Sequence, residues 1–162
     1  GVQTCALPIS AKELRNLGRA LYAQKRYEDA LDCYQEAGKL LSSVKVASPP
    51  VDLDVELLKN YGDCGNCLVA LGRLDEGFMA FEECQRLFAE LPQALWRGTN
   101  VTLRVMLTTQ AGIFRQHGRA AEQAQTESYI KQLDNSLKIH FNGTKLVDYW
   151  YQWPQVDCCG NS

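Results

Sequence analysis

The chain repeats one pattern of apolar and small residues at an interval of 47 positions, read from Gly18 to Gly65. Within residues 11–41, apolar side chains recur every three or four positions, as they do on one face of an α-helix. The polar pair Lys25-Arg26 interrupts this run, so the stretch predicts two amphipathic helices joined by a short turn. Because one such pair cannot bury its apolar face alone, the repeat constrains the chain to stacked helical pairs.

Two later stretches carry the same pattern. In residues 58–89, Gly65 takes the place of Gly18, and residues 104–137 repeat it with Ala111, 46 positions further along. We expect these small residues to mark the places where the two helices of a pair approach most closely. The predicted helices are 11–24, 27–42, 53–71, 75–91, 100–117 and 120–139. Ala120 and Ala124 open the last one, and Tyr129, Leu133 and Leu137 continue its apolar stripe.

The segments Ser42–Asp54 and Glu90–Val101 separate the three units. A proline pair in the first segment forbids a continuous helix, and a proline near the start of the second has the same effect. We therefore predict a loop in each place. Near the end of the second loop, Thr99 or Asn100 suits the N-cap of the next helix.

The first unit, counted from Ala11, carries small and apolar residues at Leu14, Leu17, Gly18, Leu21, Ala30, Tyr34 and Ala37. This pattern resembles a tetratricopeptide repeat, a family of 34-residue helix–turn–helix units. The resemblance implies an all-α, antiparallel helix-pair solenoid of about three repeats. The spacing of 46 to 47 residues in this chain exceeds the family period, as in kinesin-light-chain-like or G-protein-regulator-like arrays, whose helices are longer.

The two ends of the chain differ from the repeats. Back-translated, Gly1–Ser10 can read as a common short-read sequencing adapter, so we predict that residues 1–10 are appended sequence and not native. Residues 11–139 form the predicted repeat domain. Residues 140–162 form a tail whose aromatic stretch, Asp148–Pro154, either caps the last repeat or anchors a partner.

In this family the first helix of each pair lines a concave groove that holds a partner peptide or helix. The first unit is basic on this face, so it suits an acidic partner through arginine–carboxylate pairs. The alternative is a solvated helix face. The resemblance places on the groove Lys12, Arg15, Asn16, Arg19 and Tyr22 from the first unit, Lys59, Asp63, Asn66 and Val69 from the second, and Val105, Thr108, Thr109, Gly112, Arg115 and Gln116 from the third.

The resemblance also disfavours one class of partner. Chaperone-binding members of the family hold a carboxylate tail in a clamp of lysine, asparagine and arginine that spans three repeats. Asp63 falls where the second repeat of such a clamp needs asparagine, and Val105 and Thr109 stand where the third needs lysine and arginine. Because an acid in the clamp repels a carboxylate, we do not expect chaperone C-terminal tails to bind.

Cys64 and Cys67 are separated by two residues, a spacing that resembles a thioredoxin-type redox motif. The thiols of such a motif gain reactivity at a helix N-terminus. The repeat pattern places them in mid-helix, with Cys64 in the core, so we predict a packing role. Together with Cys158 and Cys159 they make a possible set of four zinc thiolates, but adjacent cysteines rarely chelate one ion. We expect no metal and no other cofactor, and we interpret the cysteines as thiols of a reducing, cytoplasmic compartment.

The net charge, the apolar runs and the histidine positions argue against three classes of function. The formal net charge of −2 argues against nucleic-acid binding driven by bulk charge. No apolar run approaches the roughly 18 residues of a membrane span. Neither histidine has a nucleophile and an acid nearby in the manner of a catalytic triad. We therefore predict a non-enzymatic scaffold or adaptor that binds another protein; the alternative is a regulatory or sensory segment of a larger enzyme or signalling protein.

Overall fold

The computed structural model describes residues 10–47 and 53–140, and within them it contains helices and no strand, which confirms the all-α class. The helices form antiparallel pairs, as predicted. The chain divides after Leu91 into two compact units, the first holding α1 to α4 and the second α5 and α6. The helices are α1 (Ala11–Ala23), α2 (Tyr27–Ala47), α3 (Leu53–Ala70), α4 (Leu74–Glu90), α5 (Trp96–Gln116) and α6 (Ala120–His140), and a 3-10 turn at Gln93–Leu95 precedes α5.

The N-terminus of α1 is closed by Ser10, the last residue of the segment predicted to be appended. The Ser10 hydroxyl accepts the backbone N–H of Glu13 at 3.2 Å, and the Glu13 carboxylate accepts the backbone N–H of Ser10 at 2.7 Å. This reciprocal pair is a capping box, which satisfies two of the unpaired donors at a helix start. The remainder of that segment, residues 1–9, and the tail beyond His140 lie outside the described residues.

Both segments that were predicted as loops contain helix within their described residues. α2 continues to Ala47, two residues before the proline pair, because a proline restricts the residues before it without preventing a helix from reaching them. α5 begins at Trp96, whose side chain is buried, so that the helix start is fixed by packing. Thr99 and Asn100 therefore lie inside α5, and the prediction that either forms its N-cap was wrong.

The turn inside each helical pair is built in the same way. Its central residue has a positive φ, and the N–H of the following arginine donates to the carbonyl five residues earlier, which closes the first helix in a Schellman motif. That arginine also pairs with an acid three residues further on, inside the first turn of the second helix. The sets are Lys25 (φ 60°), Arg26 and Asp29; Gly72 (φ 76°), Arg73 and Glu76; and Gly118 (φ 69°), Arg119 and Glu122.

Within the first two pairs, a glycine of the first helix lies against an aromatic ring of the second. A Cβ on Gly18 would lie 2.7 Å from the ring of Tyr34, and one on Gly65 would overlap the ring of Phe81. Both rings are almost completely buried. Because these contacts stand 47 positions apart, as the sequence repeat does, they confirm the close approach expected at Gly18 and its counterpart.

A buried amide joins the first pair to the second. Asn60 of α3 is only 3% exposed, and its Nδ2 donates to the backbone carbonyl of Tyr34 in α2 at 2.9 Å. A Cβ on Gly38 would lie 2.9 Å from this same nitrogen. The absence of a side chain at Gly38 therefore allows the amide to reach the backbone of α2.

The apolar stripe predicted for the last helix is confirmed at one position. Leu133 is completely buried, whereas Ala120 and Ala124 at the start of the helix are exposed. Among residues 120–136, whose side chains are described, Thr126 is completely buried as well. Threonine is tolerated there because its hydroxyl donates to the carbonyl of Glu122 at 2.7 Å, which satisfies its polar group within the helix.

Replacing Lys25 with glycine is expected to raise the free energy of unfolding by about 0.5–1 kcal/mol, because glycine adopts a positive φ without the Cβ strain of lysine. Equilibrium unfolding in urea measures this change. The same substitution at Lys39, an exposed residue inside α2, is the matched control and should lower the free energy by about 1 kcal/mol. A loss of stability at both positions would contradict the proposed strain.

Candidate partner-binding surface

Four side chains form an exposed stripe along one face of α1. They are Lys12, Asn16, Arg19 and Tyr22, and their spacing of four, three and three positions keeps them on that face. The Arg19 side chain is 51% exposed. The ring of Tyr22 meets that of Tyr27 edge-on, with 5.1 Å between the ring centroids. These four residues are named the α1 stripe below.

Beside this stripe, Arg15 lies in an ion cluster that links α1 to α3. Its Nη1 donates to Glu56 Oε2 at 2.7 Å, and its Nη2 donates to Asp63 Oδ2 at 2.9 Å. The Lys59 Nζ lies 3.0 Å from Glu56 Oε1, and the Arg19 Nε lies 3.6 Å from Asp63 Oδ2. The cluster therefore joins three bases and two acids across the first two helical pairs.

The structure places Arg15 in the interior rather than on an accessible surface. It is only 5% exposed, and both of its terminal nitrogens donate to acids of its own chain. A partner carboxylate would have to displace Glu56 or Asp63 in order to reach it. Arg15 thus holds α1 beside α3, and a reversal of its charge would disturb the fold as well as the surface.

The predicted residues of α3 are less accessible than the α1 stripe. The side chains of Lys59 and Asp63 are 17% and 15% exposed and belong to the ion cluster. Asn66 is half-buried, and its Oδ1 has no hydrogen-bond partner within the described part of the chain. Sequence reasoning missed Glu56, although its position seven residues before Asp63 places both acids on the same face of α3.

The cluster also affects the ionisation of Glu56. Burial opposes its charged form, but the hydrogen bonds and charges of Lys59 and Arg15 outweigh burial and hold the pKa of Glu56 below its ordinary value. Because the folded pKa is the lower one, Glu56 stabilises the fold above its unfolded pKa. This contribution is lost as the pH falls through the folded pKa.

The predicted residues of the third unit lie on α5, in the second compact unit. Thr108 and Arg115 are exposed. Thr109 is partly exposed, and its hydroxyl donates to the carbonyl of Val105 at 2.9 Å, so it is occupied within the helix. These residues share one helix with Val105, which is 51% exposed although it is apolar.

The paired cysteines lie in mid-helix, as predicted. Cys67 is completely buried and Cys64 is partly buried. Burial, with the nearby negative charge of Asp63, raises the pKa of each thiol to about 12. Cys158 and Cys159, the other two residues of the zinc alternative, lie outside the described residues. Within residues 10–47 and 53–140, no three His, Cys, Asp or Glu side chains are grouped closely enough to hold a metal ion.

Comparison with known proteins identifies one repeat. Residues 11–42 match the family model of the tetratricopeptide repeat, which covers α1 and most of α2. No curated protein and no solved structure matches the chain at a significant level. Among the described helices, none combines the length and the apolar character needed to cross a bilayer.

We expect Cys64 and Cys67 to resist alkylation by iodoacetamide in the native chain at pH 7.5, because a thiol with a pKa near 12 forms almost no thiolate there. Raising the pH to 9 should change their labelling little. Peptide-resolved mass spectrometry measures each site, and labelling in urea supplies the unfolded reference. Rapid native labelling of Cys64 at neutral pH would contradict its burial.

The variant Arg15→Glu is expected to lower the free energy of unfolding by about 3 kcal/mol or more, because it removes the partner of two acids and adds a third acid beside them. Arg19→Glu is the matched control. Since the Arg19 side chain is half exposed, its reversal should cost less than about 1 kcal/mol. Urea unfolding followed by circular dichroism measures both, and equally small losses would show that the cluster does not support the fold.

Proposed function

Because residues 11–42 of this chain form a tetratricopeptide repeat, we propose that it is a non-enzymatic scaffold that binds an acidic segment of a partner protein. Tetratricopeptide repeats are generally protein–protein interaction modules. The acidic character of the partner is the part proposed for this chain in particular. The observation that carries it is the α1 stripe, which presents two bases on an exposed helix face.

The charge of the α1 face supports an anionic partner. Glu56 and Asp63 offset the charge of Arg15, the base that lies deepest in the cluster. Lys12 makes no ion pair within the described residues, and Arg19 is held by Asp63 only at 3.6 Å and remains half exposed. Since the cluster holds three bases against two acids and Lys12 lies outside it, positive charge exceeds negative charge among these residues.

The spacing of these bases specifies how an acidic segment fits. Lys12 and Arg19 are seven positions apart, which corresponds to about 10.5 Å along an α-helix. Two residues that are three positions apart in a polyproline-II peptide lie on the same side of that peptide and are separated by about 9.3 Å. A partner segment with acids at positions i and i+3 therefore matches the two bases, and Asn16 lies between them as a hydrogen-bonding group for the peptide backbone.

Tyr22 extends this surface at the C-terminal end of α1. Its ring is 37% exposed and is supported from one side by Tyr27. A supported, partly exposed tyrosine offers apolar area with little loss of side-chain freedom, which is why tyrosine is frequent at binding hot spots. We propose that the Tyr22 ring contacts an apolar side chain that follows the second acid of the partner segment.

The compartment is proposed on separate grounds. Cys33, Cys64, Cys67 and Cys84 remain thiols, and none of them is joined in a disulfide. Thiols persist in reducing compartments, whereas secreted domains with several cysteines usually oxidise them. These residues support a cytoplasmic location for the scaffold.

The test uses an array of extended 12-residue peptides in which two glutamates are separated by zero to six positions. We expect binding to the full chain to be strongest at the i, i+3 spacing and to weaken as salt is raised, because the contact is made by exposed charges. The double variant Lys12→Glu with Arg19→Glu should reduce this binding at least about tenfold. Affinities are measured by fluorescence anisotropy.

A matched control reverses two bases elsewhere in the same unit. Lys39 and Arg86 have side chains that are 75% and 51% exposed and lie on α2 and α4. The variant Lys39→Glu with Arg86→Glu makes the same change in net charge and should leave peptide binding unchanged. An equal loss in both double variants would show that net charge, and not the α1 stripe, attracts the peptides.

A further inference from the structure

A slot opens between α2 and α3, inside the first compact unit. Its volume is about 420 Å³, within the range of small-molecule sites. Each of the two helices lines it with residues spaced by three, one and three positions, so the slot follows one face of each helix for about 10.5 Å. Gly38 and Ser42 lie on the α2 side, and Leu57, Asn60, Tyr61 and Cys64 lie on the α3 side. We name this pocket the α2–α3 slot.

The slot is separate from the α1 stripe and from the concave groove predicted from the sequence. None of the residues assigned to that groove lines it. Its surface is mostly apolar, and Gly38 leaves the space between the helices open because it has no side chain. A Cβ at that position would lie 2.9 Å from Asn60 Nδ2. The slot therefore depends on the same glycine that lets Asn60 reach the backbone of α2.

One polar atom at the slot has no partner. Asn60 is 3% exposed, and its Oδ1 is buried and makes no hydrogen bond within the described part of the chain. The orientation of this amide is fixed, because the carbonyl of Tyr34 only accepts hydrogen bonds and therefore faces Nδ2, at 2.9 Å. A buried acceptor without a donor is unfavourable and rare in folded proteins. Asn60 Oδ1 therefore indicates a donor that the described chain does not supply.

The surroundings of Asn60 Oδ1 indicate which donor fits. A buried water molecule needs roughly two to four polar partners, and the mostly apolar slot offers few. A molecule that is apolar apart from one N–H or O–H needs a single partner. Among the described residues that line the slot none is acidic and Lys39 is basic, so a cationic ligand is disfavoured. These features favour a neutral, largely apolar molecule with one donor.

The length of the slot favours a small molecule over a protein segment. An extended peptide of only about three residues already spans about 10 Å, so a partner protein would place only a fragment of its chain there. A planar ring fits between the two helix faces. Such a ring can pack on the ring of Tyr61, since aromatic rings attract each other when they meet edge-on or with an offset.

We propose that the α2–α3 slot binds a small, neutral aromatic molecule with a single N–H or O–H donor, of the class of indoles and phenols. The donor binds Asn60 Oδ1, and the ring packs against Leu57 and Tyr61. Because Oδ1 is covered in the structure, side chains that line the slot change rotamer as the ring enters. The inference goes beyond the proposed function, since it needs no partner protein and no residue of the α1 stripe.

The test compares indole with N-methylindole, which keeps the ring but has no N–H. Both are titrated against the full, isotope-labelled chain and followed by two-dimensional NMR spectra. We expect indole to shift the side-chain amide signals of Asn60 and the backbone signals of Gly38 and Ser42. Its dissociation constant should be millimolar, as suits a ligand of about nine non-hydrogen atoms. N-methylindole should bind about three- to tenfold more weakly, because it cannot donate the hydrogen bond.

The variant Ser42→Phe fills the slot from the α2 side and leaves Asn60 in place. It should reduce indole binding at least about tenfold. Ser43→Phe is the matched control, because Ser43 is also exposed on α2 but does not line the slot. It should leave indole binding unchanged, and so should Lys12→Glu with Arg19→Glu. Circular dichroism checks that every variant keeps its helices.

Three outcomes would overturn the slot. One is the absence of any signal shift up to about 10 mM indole. Another is equal affinity for indole and N-methylindole, which would show that Asn60 Oδ1 takes no part in binding. The third is an equal loss in Ser42→Phe and Ser43→Phe, which would show that the signals report the stability of α2 rather than a ligand. Acidic peptides would still bind the α1 stripe in each case, so the two proposals fail separately.

Discussion

The helix packing of the first compact unit depends on two contacts between a glycine of one helix and an aromatic ring of the next helix. Gly18 against Tyr34 and Gly65 against Phe81 set the separation of the helices in each pair, and no larger residue fits. Because packed interiors leave little free volume, this distance determines which other side chains can fill the pair. On the same two helices, α1 and α3, Arg15 meets Glu56 and Asp63, while the α1 stripe is exposed.

The basic residues of α1 have two different roles. Arg15, in the ion cluster, supports the fold, whereas Lys12 and Arg19 of the α1 stripe are exposed on the surface. A buried base that contacts two acids holds neighbouring helices in place, and its removal would leave those acids without compensation. Exposed bases contribute little to stability and are free to act in recognition. Arg15 and Arg19, four positions apart on the same helix, illustrate the division, since one is almost fully buried and the other is half exposed.

The sequence predicted the helical pairs, their turns and the glycine contacts, because each depends on residues that lie close together along the chain. It failed where tertiary packing decided the outcome. In the structure, the burial of Trp96 fixes the start of α5. In the sequence, a proline and polar residues surround this tryptophan and predict a loop. The same error placed Gly98 in a predicted loop, although it lies inside α5. Arg15 was placed on the surface because its acidic partners are 41 and 48 positions away.

The hydrogen bond between Asn60 and the carbonyl of Tyr34 has a consequence for the alignment of neighbouring pairs. Apolar contact between α2 and α3 is non-directional, so a slip of one helical turn would keep much of it. The same slip would move the Asn60 amide away from the Tyr34 carbonyl and from the space beside Gly38. The amide would then be buried without its hydrogen-bond acceptor. This one hydrogen bond thus fixes the register between α2 and α3, which apolar contact alone would not determine.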